Sequence, residues 1–333
     1  MFPRMSPKLP VLAASRVAVP GRLAFWLTTA LLTSACSKDV PAPKATSGAT
    51  VQTDSVTPPD STVTPAVPRW DPANGSAIYL PGDGGVAQVV LPPVLDDSVP
   101  KPDGAAIPTG AAPASVDLFS PSGKVGTVTL GAYVASGQPT VGVGCDAWAV
   151  VPVRDATGNA PQGWRLALQA GVAQPLSTDS LGSIPRADSA ALVIAINKAA
   201  AALPLDSAGL LRRVPFGVPK AHRLKLAGDV EVIIAVVERR LNLEAAPRVE
   251  RTILVLERTS ATRPLTAVWR ETQYATEDDL IAVDLLAVVQ MHGVTVPTVF
   301  LGLDFGDGSR VQMLQRSTVG IWSLRWSSAY TGC

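Results

Sequence analysis

VEVIIAVVERR, residues Val230 to Arg240, is a run in which six of eleven side chains are β-branched, and RVERTILVLER, Arg248 to Arg258, has a similar composition. β-branched side chains pack well on the pleated surface of a sheet, whereas a helix restricts their rotamers. Between the two runs, Asn242 to Pro247 ends in proline and supplies a turn. The two runs therefore predict a pair of long antiparallel strands.

The chain after Arg258 continues this pattern. Trp322, Leu324 and Trp326 alternate with Ser323 and Arg325, which is the two-residue period of a strand with one buried face. Further strand-like segments are Leu265–Ala275, Leu280–Met291, Pro297–Asp304, Arg310–Arg316 and Gly320–Ser327. Together these segments predict a large C-terminal antiparallel β-meander.

One amphipathic helix is predicted upstream of the meander. Ser183 is the candidate N-cap, with Pro185 just inside the helix and Pro204 as its expected end. The apolar residues of one face recur at helical spacing: Leu192, Ile196, Ala199 and Leu203. The fold class that follows is α+β, mainly antiparallel β, with a large C-terminal β-meander and one amphipathic helix upstream.

Shorter strands are predicted before the helix, at Val86–Leu91, Val116–Phe119 and Lys124–Val134. Thr140–Val153 and Gly163–Gln169 are predicted to form a strand pair joined by a turn at Asp155–Asn159. Trp148 and Trp164 would then face one another across this pair.

The N-terminus has the features of a secretory signal. LAFWLTTALLTSAC, Leu23 to Cys36, follows a segment with four cationic residues and no acid before Asp39; the cations are Arg4, Lys8, Arg16 and Arg22. A basic segment, an apolar core and a small-residue end are typical of exported proteins. A membrane span needs about 20 apolar residues, and this run is shorter.

The end of this run, Leu32-Thr33-Ser34-Ala35-Cys36, resembles the lipobox of bacterial lipoproteins. The resemblance implies a signal peptide over residues 1–35, cleavage before Cys36 and diacylation of the Cys36 thiol. Thr33 departs from the family pattern, which prefers Leu three residues before the cysteine. The alternative is an ordinary secretory signal that is cut nearby.

The segment after Cys36 has the composition of a tether. Pro, Ser, Thr and Ala dominate residues 37–68, and no aromatic residue occurs there. Such a segment cannot bury enough apolar surface to offset its ordering entropy. We therefore predict a lipid-anchor cysteine and disordered tether over 36–69, followed by a globular β-rich domain over 70–333 with a candidate subdivision near 180–228.

Charge and the anchor indicate where the protein acts and which partners it meets. A net charge of +1 provides no strong positive field for nucleic acid. The lipoprotein resemblance implies a membrane contact through the N-terminal lipid, in the cell envelope. Ser37 stands where Asp favours inner-membrane retention in that family, so the outer membrane is expected; secretion to the periplasm is the alternative. Another envelope protein is the expected macromolecular partner.

Two further cysteines, Cys145 and Cys333, are expected to form a disulfide, because an exported chain meets an oxidising compartment. A bridge would hold the final residues of the chain, which otherwise fray. Two free thiols are the alternative.

Four residues are candidate ligand contacts. His222 and Arg223 lie in the basic cluster Lys220–Lys225, which indicates either an anion contact or a solvated loop that leads into a strand. Trp148 and Trp164, with Trp269, Trp322 and Trp326, could form a stacking platform for sugars, although large aromatic residues more often fill the core of a β-rich domain.

The C-terminal segment 296–333, VPTVFLGLDFGDGSRVQMLQRSTVGIWSLRWSSAYTGC, resembles the hairpins of bacterial FG-GAP-like and VCBS-like repeats. The resemblance covers about 40 residues in one copy and implies a hairpin, but the aspartates that hold calcium in that family are not in the corresponding loop, VQMHGVTVP. Asp304-Phe305-Gly306-Asp307-Gly308 has too few alternating acids for a calcium loop and predicts a hairpin turn. The acidic run Glu277-Asp278-Asp279 is expected to be a solvated turn.

No stretch of the sequence has a nucleophile elbow, a P-loop or a dinucleotide fingerprint. No catalytic residue, cofactor or metal is therefore assigned. The sequence predicts a non-enzymatic envelope interaction or structural protein. A periplasmic solute- or glycan-binding module is the alternative, and a hydrolase of unfamiliar type is the third hypothesis.

Overall fold

The computed structural model describes residues 70–90, 115–132, 149–155, 157–159, 161–203, 211, 213–241, 247–276, 280–328 and 330–332. All of them belong to one compact unit, Val63–Cys333. The predicted leader, the tether, Cys36, Cys145, Trp148, the acidic run 277–279 and Cys333 lie outside the described residues. The predictions of lipidation and of a disulfide therefore stay predictions.

Six short strands form a closed antiparallel barrel in the order β1-β2-β5-β4-β3-β6. They are β1 (Ile78–Pro81), β2 (Val86–Val90), β3 (Ser115–Ser120), β4 (Gly123–Leu130), β5 (Ala149–Arg154) and β6 (Leu166–Gln169). Small and branched side chains fill the barrel, with Tyr79 and Trp164 as the largest of them. Closure gives each of these six strands a paired neighbour on both sides.

The predicted pairing of the strands around Asp155–Asn159 is wrong. The turn itself forms, with Asp155 Oδ1 accepting hydrogen bonds from the backbone of Thr157 at 2.8 Å and of Asn159 at 2.9 Å. However, β5 pairs with β2 and β4, while β6 pairs with β1 and β3. Barrel closure places these two consecutive strands on separate sides, which spacing along the chain does not reveal.

The remaining strands form two antiparallel sheets. The five-stranded sheet has the order β12-β11-β10-β9-β8 and contains β8 (Asp179–Ser180), β9 (Gly217–Lys225), β10 (Glu231–Leu241), β11 (Arg248–Arg258) and β12 (Thr266–Ala275). The six-stranded sheet has the order β16-β15-β14-β13-β7, with β17 beside β15; it contains β7 (Ala173–Pro175), β13 (Ala282–Met291), β14 (Pro297–Asp304), β15 (Gly308–Thr318), β16 (Ile321–Ser327) and β17 (Thr331–Gly332). The fold class predicted from the sequence is thus confirmed.

The predicted meander divides between β12 and β13. β10 and β11 pair along their full length, from Glu231 opposite Arg258 to Leu241 opposite Arg248. β13 pairs with β14 and β7 instead of continuing beside β12. The reason is that strands such as β10 are apolar on both faces, so the sheet has to be covered on both sides.

The layers follow this requirement. Even-numbered residues of β10 pack against the six-stranded sheet, in a core with Val255, Leu301 and Trp322 among its members. Odd-numbered residues of β10 pack against the helix α1 (Arg186–Ala201). The outer face of the six-stranded sheet packs against the barrel through Phe300, Met313 and others. The order of layers is therefore barrel, six-stranded sheet, five-stranded sheet and helix.

The helix confirms the predicted apolar stripe but not its predicted cap. Leu192, Ile196 and Ala199 are buried, and Leu203 packs against the same core. Pro185 occupies the N-cap position, while Ser183 Oγ donates to the carbonyl of Ser180 at 2.9 Å. Among the described residues, no helix has the length and apolarity needed to cross a bilayer.

Candidate functional site

The intersheet cleft is the candidate site, and it lies on one side of the two-sheet sandwich. Along this side β8 covers only two residues of β9, and β7 covers only the last three residues of β13. The short chain segment from β7 to β8 thus closes the side only in part. The opening left beside it has a volume of about 270 Å³ and is lined by Pro121, Arg165, Lys220, His222, Ile234, Ala235, Val236, Ile253, Val283, Asp284, Leu285 and Leu301.

The floor of the intersheet cleft is apolar, because side chains of the core between the two sheets form it. Six of the lining side chains are buried members of that core: Ile234, Val236, Ile253, Val283, Leu285 and Leu301. The polar lining residues stand at the rim. An apolar floor with a few polar groups at the rim is the usual arrangement of a small-molecule pocket.

Lys220 and Asp284 form an ion pair across the rim. The Lys220 ammonium also donates to the backbone carbonyl of Val283 at 3.2 Å. About half of each charged side chain is exposed, so solvent screens this pair and its contribution to stability is small. Its effect on the cleft is to join β9 to β13 at the mouth.

His222 lines the cleft from β9 and is uncharged at neutral pH. Its Nδ1 lies 3.4 Å from Thr178 Oγ1, and the Thr178 hydroxyl donates to the Pro121 carbonyl at 2.7 Å. Because that hydroxyl proton is already used, the tautomer compatible with this contact is the one that has its proton on Nδ1 and an acceptor at Nε2. Burial lowers the pKa of His222 below its usual value, and the charge of Lys220 lowers it further, partly opposed by Asp284.

Arg165 lines the same cleft from the barrel, directly before β6. Its backbone N–H donates to the Phe119 carbonyl at 2.7 Å, which fixes the position of the main chain. Its side chain is exposed and, within the described residues, makes no ion pair. The rim therefore has two cations and one carboxylate around a neutral histidine.

Arg223, the neighbour of His222, is not part of the intersheet cleft. Successive side chains of a strand point to opposite faces, so Arg223 lies on the helix side of the sheet. There its Nη2 donates to Asp179 at 2.9 Å, and its Nε lies 4.0 Å from Glu231. The expectation of a solvated loop at Lys220–Lys225 is wrong, because these residues belong to β9.

Trp164 lies in the barrel core and is only 6% exposed. Trp164 and Arg165 also line a second, more polar opening of about 480 Å³ at the barrel mouth, beside the loop Gly82–Gly85, so Arg165 lies between this opening and the intersheet cleft. Trp322 and Trp326 are also buried. These three tryptophans therefore fill cores, as the alternative to a stacking platform predicted. Trp269 is half-buried against the core between the sheets, and Trp148 lies outside the described residues.

The acidic turn between β14 and β15 is a hairpin turn, as predicted. Asp304 Oδ1 accepts a hydrogen bond from the Gly306 amide at 2.8 Å, and the Tyr330 hydroxyl donates to Asp307 at 2.6 Å. Among the described residues, no group of three or more acidic, histidine or cysteine side chains is arranged to hold a metal ion.

Sequence reasoning singled out His222 but not Arg165, Asp284 or Thr178. Asp284 carried a usable signal, since it is a carboxylate inside the apolar run AVDLLAVV of a predicted strand. Arg165 and Thr178 carried none, because only the tertiary fold brings the barrel and the β7–β8 segment to β9.

A scan against protein-family models found no match to this chain, and searches of curated proteins and of solved structures likewise found none. Its function therefore has to be inferred from the intersheet cleft and from the N-terminal sequence.

Proposed function

We propose that this chain is a lipid-anchored protein of the bacterial cell envelope whose folded part binds a small amphipathic ligand in the intersheet cleft without transforming it. The observation that carries the proposal is the cleft itself, with its apolar floor and polar rim. This is the solute-binding alternative of the sequence analysis. Contact with another envelope protein stays a prediction.

The side chains of the rim support binding rather than catalysis. Lys220 is paired with Asp284, and the imidazole of His222 is held by Thr178. A catalytic histidine needs a nucleophile or substrate proton within hydrogen-bond reach and an orienting partner on its other nitrogen. Thr178 orients the ring, but its own hydroxyl proton is donated to the Pro121 carbonyl, so Thr178 is not activated as a nucleophile.

Small amphipathic compounds are expected to bind at the cleft of the full-length chain in detergent. Hexanamide and hexanoate should shift the amide resonances of Ala235, Val283 and their neighbours in two-dimensional NMR spectra. Val236→Phe places an aromatic ring in the cleft and should weaken binding of both probes by about tenfold or more, since it removes the space for a ligand.

Ile194→Phe is the matched control, because it adds the same ring on the exposed face of α1, where Ile194 is 70% exposed. Thermal melting establishes that both variants are folded. Binding of neither probe by the wild-type chain, or equal binding by Val236→Phe and the wild type, would contradict the proposal.

The anchor is tested at Cys36. Cells that express the chain and grow with labelled palmitate should incorporate the label into the wild-type protein, and Cys36→Ala should lose it, because the thiol is the acylation site in proteins with a lipobox. Cys145→Ala is the control and should keep the label. An unlabelled wild-type chain, or a labelled Cys36→Ala chain, would rule out the lipid anchor.

A further inference from the structure

We propose that the ligand of the intersheet cleft is a monocarboxylate with a short apolar body, and that Arg165 binds its carboxylate. This inference rests on the proposed function, because it names a ligand class for the same cleft.

The apolar body follows from the floor. Ile253 and Leu301 are each 1% exposed and Ile234 is 4% exposed, so the surface that remains open to the cleft is an extension of the hydrophobic core. A hydrocarbon group placed against these side chains removes its own apolar surface from water, whereas a fully polar ligand would leave its own groups without partners there. The volume of about 270 Å³ restricts the body to a short one, since pockets for drug-sized ligands begin near this size.

The negative charge follows from the rim. Lys220 and Asp284 neutralise one another, and His222 carries no charge at neutral pH. Arg165 is then the cation whose charge has no counterpart among the described residues of the rim. A ligand with a single negative charge would neutralise the charge of Arg165.

The geometry of the guanidinium favours a carboxylate over other single charges. A guanidinium presents parallel N–H donors that match the two oxygens of a carboxylate, and such bonds are stronger than those between neutral groups. A phosphate dianion is disfavoured, because its second charge would face the apolar floor and the neutral ring of His222 without a partner.

Hexanoate and hexanamide test whether the cleft recognises a carboxylate, since the two compounds share the apolar body and differ in charge. We expect the full-length chain to bind hexanoate about tenfold more tightly than hexanamide, as measured by titration of the cleft resonances or by calorimetry. Arg165→Gln should reduce the affinity for hexanoate about tenfold and leave that for hexanamide unchanged. The affinity of Arg165→Lys for hexanoate should fall between that of the wild type and that of Arg165→Gln. Inorganic phosphate should bind more weakly than hexanoate.

Arg325→Gln is the matched control, because Arg325 is exposed on β16, does not line the cleft, and loses the same charge. It should bind hexanoate like the wild type. If both probes bind equally, if Arg165→Gln binds hexanoate normally, or if phosphate binds more tightly, the carboxylate inference is wrong while the cleft remains a binding site. If neither probe binds, the proposed function fails as well.

Discussion

Glu257→Gln is expected to destabilise the fold by about 3–5 kcal/mol, the usual cost of removing one partner of a buried ion pair. Glu257 is 4% exposed and lies on β11, in the five-stranded sheet. Arg316 donates to it from β15 through Nη2 at 2.7 Å and Nε at 3.1 Å. The Gly320 amide and Trp322 Nε1 donate to it as well, each at 3.1 Å. One carboxylate thus joins the two sheets through four hydrogen bonds.

Glutamine cannot replace this carboxylate. Each oxygen of Glu257 accepts two of the four hydrogen bonds, and an amide has only one oxygen. Whichever way the amide is turned, its NH₂ group faces two donors, and the charge of Arg316 is left without a counterion in a site where its side chain is 11% exposed. Thermal and urea unfolding should show a fall of roughly 10 °C in the melting temperature.

Glu271→Gln is the control for this substitution. Glu271 is partly buried in the same sandwich and accepts one hydrogen bond, from Gln312 Nε2 at 3.3 Å. A loss of about 1 kcal/mol or less is expected there. If Glu257→Gln costs no more than Glu271→Gln, the carboxylate does not fasten the two sheets.

Arg239→Met is expected to have a similar effect, about 3–5 kcal/mol, on the helix side of the five-stranded sheet. Arg239 and Glu250 face one another on β10 and β11 and are 2% and 3% exposed. Arg239 Nε donates to Glu250 Oε2 at 2.9 Å, and Nη1 donates to the Leu211 carbonyl at 2.9 Å. Its guanidinium carbon also lies 4.7 Å from the centre of the Phe216 ring. Without arginine, the buried Glu250 carboxylate has no counterion among the described residues.

The double variant Arg239→Met/Glu250→Leu distinguishes the cost of leaving one charge unpaired from the cost of changing the two side chains. Because no unpaired charge remains, it should be more stable than either single variant, with a coupling energy of about 2–3 kcal/mol in a double-mutant cycle. Chemical unfolding of the four proteins measures this energy. Additive losses would mean that the two side chains contribute independently and that burial of an unpaired charge is not the cause.

Local pattern was sufficient to predict most of the individual strands. The bounds of β11 and β14 agree with the segments predicted from the sequence, β10 is shifted by one residue at each end, and β13 begins two residues later than predicted. Runs of β-branched residues between turn-forming residues specify a strand through local sterics alone. β9 was not predicted, because Lys220, His222 and Arg223 interrupt its apolar pattern. Each of these polar side chains has a hydrogen-bond partner on another part of the chain.

Which strands pair with one another was harder to predict from the sequence. Pairing of β10 with β11 was predictable because a short turn joins them. The separation of β5 from β6, and of β12 from β13, depends on how whole layers cover one another, which is a non-local property. The candidate site is likewise non-local, since Arg165 of its rim belongs to the barrel, His222 to one sheet and Asp284 to the other.

The sequence by itself therefore determined the fold class and the apolar stripe of the helix, because each depends on neighbouring residues; the lipid anchor stays a prediction from the N-terminal sequence. Only the tertiary structure decided that the meander splits into two sheets, that the opening between them is left partly uncovered by β7 and β8, and that Arg165 stands at that opening. These features depend on burial of both faces of each sheet, and burial is set by residues distant along the chain.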